Sequence, residues 1–324
     1  MRRWEFVILF SMLAATLVAP PQAWPQEAGR TYRLGVLLLT ARSMEETREM
    51  TLAQLAKHGF IEGRNLIVDS RIGGPEQLPG FARELVGGKP EAILAVGTSA
   101  IRAAQAATAT VPIVMMGDDP VGHGWAVSLA RPGGNVTGVT ILAAELDAKR
   151  LQLVHEAMPL ARRVAALFRP PENREEIERA MRDVAVSAGL EFHAFDTASP
   201  ADYPAAFAQM RKADAQALVI TSNPQLYHDG AQLALLALQA RLPTICQWAD
   251  MARTGCLIGY GPSLREMRRG TGEYLARIFQ GALPSALPIE GPTHFEFVIN
   301  LKTARALGIE MPQGLLLRAD EVIE

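Results

Sequence analysis

Neither sign of charge predominates in this chain, and cysteine is almost absent from it. Its 324 residues carry 32 Lys and Arg against 34 Asp and Glu, a formal net charge of −2, with no run of five like charges anywhere. That balance argues against a nucleic-acid surface, which shows as a basic patch or stripe, and against a charged interaction tail. Cys246 and Cys256 are the only cysteines. They have no histidine beside them, which argues against a zinc site. Catalytic loops are missing too. Gly88-Lys89 is followed by Pro90 rather than the Ser or Thr after a phosphate-binding lysine. Gly122-His123-Gly124 runs on into Trp125 and makes no dinucleotide fingerprint. Gly97-Thr98-Ser99-Ala100-Ile101 opens like a nucleophile elbow but has Ile where the last Gly belongs. His58, His123, His155, His193, His228 and His294 lack metal-ligand spacing. No cofactor and no metal are expected.

What is present is an ordinary globular balance, 49% hydrophobic and 20% charged, at a length that suits two domains. The N-terminus is set apart. Arg2-Arg3 precede an uncharged run from Phe6 to Ala19, and Pro20-Pro21-Gln22-Ala23 follow. A basic start, a short apolar core and small residues near a break predict a secretory signal peptide over residues 1–28, cleaved after Ala23 or Ala28. The run falls short of the roughly 20 residues a membrane span needs. The expectation is an exported, soluble periplasmic protein with no stable membrane insertion after cleavage. In an oxidising compartment Cys246 and Cys256 form a disulfide or stay as two buried thiols, and both readings stand at this point.

After Thr31 the pattern is α/β. Short apolar runs at Leu34–Leu39, Asn65–Ser70, Ala92–Val96 and Ile113–Met116 alternate with helical stretches at Ser43–His58, Gln77–Val86 and Thr98–Ala107. Such alternation predicts βαβ units around a parallel sheet. A second series restarts with strands at Val164–Phe168, Glu191–Phe195 and Ala217–Thr221. Its helices fall at Arg174–Ala188 and Pro204–Lys212, with one long helix from Asn223-Pro224 to Arg241. Further strands are expected at Pro243–Cys246 and Cys256–Gly259, and a helix at Arg265–Gln280. The fold class is therefore α/β, two Rossmann-like lobes with parallel sheets facing one cleft.

Ligands of such sheets bind beyond the carboxyl ends of the strands, which selects the candidates. Thr98, Ser99 and Ala100 open a helix whose unpaired N–H groups and positive end make a seat for a carboxylate, or else Thr98 and Ser99 are plain helix caps. Asp119 ends the neighbouring strand and would hold a ligand ammonium group, or cap a helix before Pro120. In the second lobe Asn223, Trp248, Asp250 and Tyr260 follow strand ends, and an aromatic ring there would stack on a planar ligand. Ser43 after the first strand is a further contact, also explained as an N-cap.

Several stretches carry a family resemblance: Val111-Pro112-Ile113-Val114, Asp119-Pro120-Val121-Gly122, SLARPGGNVTG from Ser128 to Gly138, KRLQLVHEAMP from Lys149 to Pro159, Gly259-Tyr260-Gly261-Pro262, PTHFEFVINLKTARALGI from Pro292 to Ile309, and LLLRADEVIE from Leu315 to Glu324. They resemble the substrate-binding proteins of ABC transporters, tryptophan/tyrosine-type, which have the periplasmic binding protein type I-like fold. The resemblance implies three crossings between lobes. It assigns residues 31–138 plus 263–283 to lobe 1 and 139–262 plus 290–324 to lobe 2. It further implies that an amino acid or related carboxylate, aromatic ones included, is bound by lobe closure and delivered to an ABC permease and its ATPase subunit. Members of the group usually carry Asp where this chain has Asn223, which removes a charge from that wall. The runner-up is an exported two-lobed α/β enzyme acting on a small carboxylate through Asp119, Ser99 or a cysteine. It lacks a second convergent acid–base group. The effector domain of a transcription regulator shares the fold, but here an export signal precedes Thr31 and no helix-turn-helix does.

Overall fold

The structure, a computed structural model, describes residues 29–170 and 174–324. The segment read as a signal peptide, 1–28, lies outside the described residues. In the first sheet β1 (Tyr32–Leu38), β2 (Leu66–Ile72), β3 (Ala92–Val96), β4 (Ile113–Gly117) and β5 (Val136–Thr140) pair in the order β2-β1-β3-β4-β5, all parallel. Every residue of β3, β4 and β5 is buried, as strands covered on both faces must be. The connecting helices are α1 (Ala41–Glu46), α2 (Ala53–Lys57), α3 (Leu78–Gly87) and α4 (Thr98–Ala107). A six-residue π segment, Thr47–Leu52, joins α1 to α2 where the sequence predicts one helix. Because β1 lies between β2 and β3, the chain leaves β1 and β3 on opposite sides. That switch point opens a crevice at their carboxyl ends.

The second sheet has β6 (Arg163–Phe168), β7 (Glu191–Asp196), β8 (Ala217–Ile220), β9 (Thr244–Cys246), β10 (Ile258–Pro262), β11 (Phe295–Asn300) and β12 (Glu321–Ile323), in the order β12-β11-β10-β9-β8-β6-β7. Parallel pairing is interrupted once. β11 runs antiparallel to β10, and β12 follows β11, so the last two strands oppose the other five. The helices are α5 (Ala143–Ala157), α6 (Arg174–Ala188), α7 (Tyr203–Lys212), α8 (Pro224–His228), α9 (Gly230–Gln239), α10 (Ala249–Arg253), α11 (Leu264–Phe279), α12 (Leu301–Leu307) and α13 (Gln313–Leu316). The single helix expected from Asn223 to Arg241 is thus two. The break falls at Asp229, whose carboxylate accepts from the Tyr203 hydroxyl at 2.5 Å and sits 3.4 Å from Arg169 Nη1.

The chain crosses between sheets three times: from β5 into α5, from β10 into α11, and from the segment after α11 into β11. Helix α11 packs on β3, β4 and β5 of the first sheet and against the π segment and α2. Gly272 permits that approach, because a Cβ there would lie 2.6 Å from the Thr51 carbonyl oxygen. The returning segment runs along β5, where Glu290 N–H donates to Gly138 O at 3.0 Å and Thr140 N–H to Glu290 O at 2.9 Å. Cys246 and Cys256 are joined as a disulfide with their Cα atoms 6.5 Å apart, both fully buried. The bond ties the end of β9 to the approach of β10, and neither sulfur is a free nucleophile. Among the described residues no helix is long and apolar enough to cross a membrane.

Candidate ligand-binding site

A cavity lies where the carboxyl ends of β3, β4, β8 and β9 converge between the lobes. It offers about 50 Å³ to the centres of water-sized spheres, several times the roughly 10–15 Å³ that one water needs. Its lining is mostly apolar, with Val96, Met116 and Ile141 on one side and Pro224, Tyr227 and Trp248 on the other. It opens into a larger charged cleft of about 570 Å³ that shares Glu46, Tyr227, Trp248 and Leu264 with it and includes Arg253, Arg265 and Glu296.

The first lobe brings the amino end of α4 to this cavity. Gly97 and Thr98 line it, so the amino end of α4, with its partial positive charge, borders the space. Thr98 is therefore placed at the cavity. Ser99, half-buried on α4, and Ala100, fully buried in the core beside β3 and β4, are not part of the lining. The acid at the end of β4 differs from the expectation by one position. Asp118, 4% exposed, lines the cavity and accepts from the Ala143 N–H at 2.9 Å, bracing the start of α5. Asp119 adopts a left-handed backbone, φ +39°, and its carboxylate folds onto its own turn to accept from Gly122 N–H at 2.7 Å. It is outside the lining, and an ammonium group in the cavity would meet Asp118 before Asp119.

The second lobe presents a wall whose hydrogen bonds are already made. Asn223 lines the cavity, but its carbonyl oxygen accepts from Gln225 and Leu226 N–H at 2.8 and 3.2 Å, and its amide donates to Arg169 O. Gln247 bonds both ways with the Asn223 backbone at 3.0 and 2.8 Å. Beneath them Arg150, 1% exposed, donates to Asp147 at 2.5 Å, Ser222 Oγ at 2.9 Å, Gln247 O at 2.9 Å and Tyr260 O at 2.7 Å. One guanidinium thus ties together the ends of β8, β9 and β10. Trp248 faces the cavity edge-on to Tyr227, ring centroids 6.2 Å apart. Tyr260 is not in the lining: its ring stacks on Phe295 and its carbonyl serves Arg150. Asp250 borders only the outer cleft, paired with Arg253.

Three residues that sequence reading did not select complete the site. Glu46, His228 and Arg268 line the cavity, and all are buried or nearly so. Arg268 Nη2 lies 2.8 Å from Glu46 Oε2 and 3.3 Å from Ser43 Oγ, so Ser43 touches Arg268, while Thr40 caps α1. His228 Nδ1 meets Thr40 Oγ1 at 2.7 Å across the cleft, and its Nε2 lies 3.4 Å from Glu46 Oε1. Burial works to raise the Glu46 carboxyl, but His228, Arg268 and Arg42 outweigh it and hold it below its ordinary value. Glu46 lies about 180 and 222 positions before His228 and Arg268, and no local motif marks the three.

The lobes also meet at a cluster of acids. Glu176 on α6 faces Asp119, Asp118 and Glu145, and burial together with these charges pushes its carboxyl up to about 7. A carboxyl raised by folding binds its proton more tightly in the folded protein than in the unfolded chain. Its contribution to stability is present below the ordinary 4.5 and lost as pH rises through about 7. Stability is therefore expected to fall between pH 5 and 8, and Glu176→Gln to flatten that slope. Calorimetry across this range checks it; an unchanged slope in Glu176→Gln would assign the pH dependence to other groups.

Two α/β lobes, three crossings and a cavity at facing strand ends define the type I periplasmic binding protein fold. Residues 36–323 match the ABC transporter substrate binding protein family, and the chain belongs to it. A curated relative, the tyrosine-binding protein of Clostridioides difficile strain R20291, is 23% identical over 274 residues, covering 83% of this chain and 78% of that one. Among solved structures, a conserved domain protein from Vibrio cholerae superposes with a TM-score of 0.84 at 25% identity, over 90% of this chain and 100% of that one. An ABC domain from Streptococcus pneumoniae in complex with L-Trp gives 0.82 at 22% identity, with the same coverage. The family is one of substrate-binding proteins rather than enzymes.

Proposed function

We propose that this protein is the periplasmic solute-binding component of an ABC importer, and that it holds a small apolar or aromatic carboxylate between its lobes and delivers it to a permease and its ATPase subunit. The observation that carries this reading is the amino end of α4, at Gly97 and Thr98, bordering a cavity walled by Tyr227, Trp248 and Ile141. A ligand carboxylate accepts N–H bonds from the helix end at Thr98, while its apolar body lies against the rings of the second lobe. Amino acids and related acids satisfy this pattern, in keeping with the tyrosine and L-Trp named for two relatives. Asp118 is the acid positioned for an ammonium group. Closure is a shift between open and closed lobe arrangements, driven by contacts made only when both walls touch the ligand.

A thermal-shift screen of amino acids and aromatic acids tests the reading, since a ligand that binds only the native state raises apparent stability by about 2.7 kcal/mol at a hundred times its Kd. Carboxylates of this kind should raise the melting temperature, and their amides should not. Equal shifts for acid and amide would remove the helix-end seat.

A further inference from the structure

Buried polar atoms without a hydrogen-bond partner are costly, and most proteins hold few of them. Among the described residues there are five such side-chain atoms, and three face the cavity: Glu46 Oε1 and Arg268 Nε from the first-lobe side, and His228 Nε2 from α8 across the cleft. The other two, on His155 and His193, lie outside the lining. Elsewhere in the second-lobe wall Asn223 and Gln247 have their side chains committed to the protein.

The three atoms are left over from a network that is otherwise satisfied. Arg268, 3% exposed, donates from Nη1 to Thr47 Oγ1 at 3.1 Å and from Nη2 to Ser43 Oγ and Glu46 Oε2. Its Nε is the one nitrogen of the guanidinium with no partner. Glu46 spends Oε2 on Arg268, while Oε1 lies 3.6 Å from Arg42 Nε and 3.4 Å from His228 Nε2, beyond hydrogen-bond geometry in both cases. His228 spends Nδ1 on Thr40. Together the three residues offer a free donor, a free acceptor and a ring nitrogen that can be either.

The charges select the ligand group that fits. A second carboxylate would accept from Arg268 but lie against the Glu46 carboxylate. An ammonium would donate to Glu46 but lie against the Arg268 guanidinium. A hydroxyl meets neither objection, because it donates to Glu46 Oε1 and accepts from Arg268 Nε–H at the same oxygen. We propose that Arg268 and Glu46 form a hydroxyl-recognition subsite, which makes Arg268 a specificity-determining residue and the ligand a hydroxyaryl carboxylate. The inference rests on the proposed function. The carboxylate sits at α4, the ring lies between Ile141 and Tyr227, and the hydroxyl reaches the Glu46–Arg268 wall.

The test is calorimetry on the mature protein with two matched pairs: L-tyrosine against L-phenylalanine, and 4-hydroxyphenylacetate against phenylacetate. A hydrogen bond to charged groups in a buried site is expected to make the hydroxylated member of each pair bind about 30-fold tighter or more. Arg268→Lys keeps the positive charge beside Glu46 but removes the Nε–H. It should shrink the preference, read as the ratio of the two affinities within each pair, to about threefold or less. If Arg268→Lys does not fold, as judged by circular dichroism, Glu46→Gln serves instead and should cut the preference about tenfold. Equal binding of both members of a pair by the unaltered protein overturns the subsite and leaves the proposed function standing. Binding of other carboxylates but none of these four also overturns the subsite alone. Failure of every carboxylate overturns both.

Discussion

Replacing Arg150 with methionine is expected to cost about 3–5 kcal/mol of folding stability, the range for breaking a buried ion pair by removing one partner. Arg150 and Asp147 are 1% and 0% exposed, and the guanidinium supplies four hydrogen bonds that no water can replace. Burial pushes the Asp147 carboxyl up and the Arg150 guanidinium down, while their mutual attraction pulls each back. Without Arg150 the carboxyl is raised further. A carboxyl raised by folding contributes stability below its ordinary value and loses it as pH climbs through the raised one, so the deficit should be smallest in acid and grow toward neutrality. Urea unfolding at pH 5 and pH 8 reads both the size and the trend. The double change Asp147→Leu with Arg150→Met should recover part of the loss, because no unpaired charge is left behind. A single variant as stable as the parent would mean that the strand ends are held by other contacts.

The second large effect is expected at Gly97. Its backbone, φ +91° and ψ +148°, lies in a region that is essentially restricted to glycine. A Cβ there would sit 2.9 Å from Leu39 Cδ1 and 3.2 Å from Pro224 Cγ. The backbone strain, on the order of 1–3 kcal/mol, is felt whether the lobes are open or closed. On the lobe closure proposed above, the contact with Pro224 is made only when the lobes meet, because Pro224 starts α8 on the opposite lobe. Gly97→Ala should therefore lower ligand affinity by about tenfold or more, each tenfold being roughly 1.4 kcal/mol, beyond any loss in melting temperature. Pro224→Ala in the same background should restore part of that affinity, and calorimetry on the four proteins of this cycle measures the coupling. Unaltered affinity in Gly97→Ala would show that the lobes close without the two residues meeting.

Much of the scaffold can be read from the sequence, because apolar runs of the right length between glycines and helical stretches admit few other folds. Arg174–Ala188 and Ala92–Val96 have the predicted limits. The placing of Thr98 at a helix start beside a strand end follows from the same local pattern. What failed was anything set by a single backbone torsion or by distant pairing. Asp118 and Asp119 are adjacent and chemically identical, and the left-handed turn at Asp119 decides which of them faces inward. The division of the long helix at Asp229 depends on Tyr203 and Arg169, both far away in sequence. The reversed direction of β11 depends on the route of the last crossing. Glu46, His228 and Arg268 read as ordinary surface-helix residues until three separate elements bring them under one roof. Asn223, Asp250 and Tyr260 were selected because they follow strand ends. Position after a strand does not reveal whether a side chain has already been claimed by its own loop.

The unequal division of hydrogen bonding between the two walls bears on how such a receptor can be re-tuned. Around Ser222, Asn223 and Gln247 each polar side chain closes a bond that shapes the loop itself, so an exchange there puts the scaffold at risk before it can alter what is bound. Glu46 and Arg268 differ in kind: they close a buried ion pair with each other, so exchanging one alone strands a charge, while exchanging both together removes it. A library that varies that pair as a unit would alter what the first-lobe wall accepts, and the other wall would act as a fixed template for the flat face of whatever is admitted.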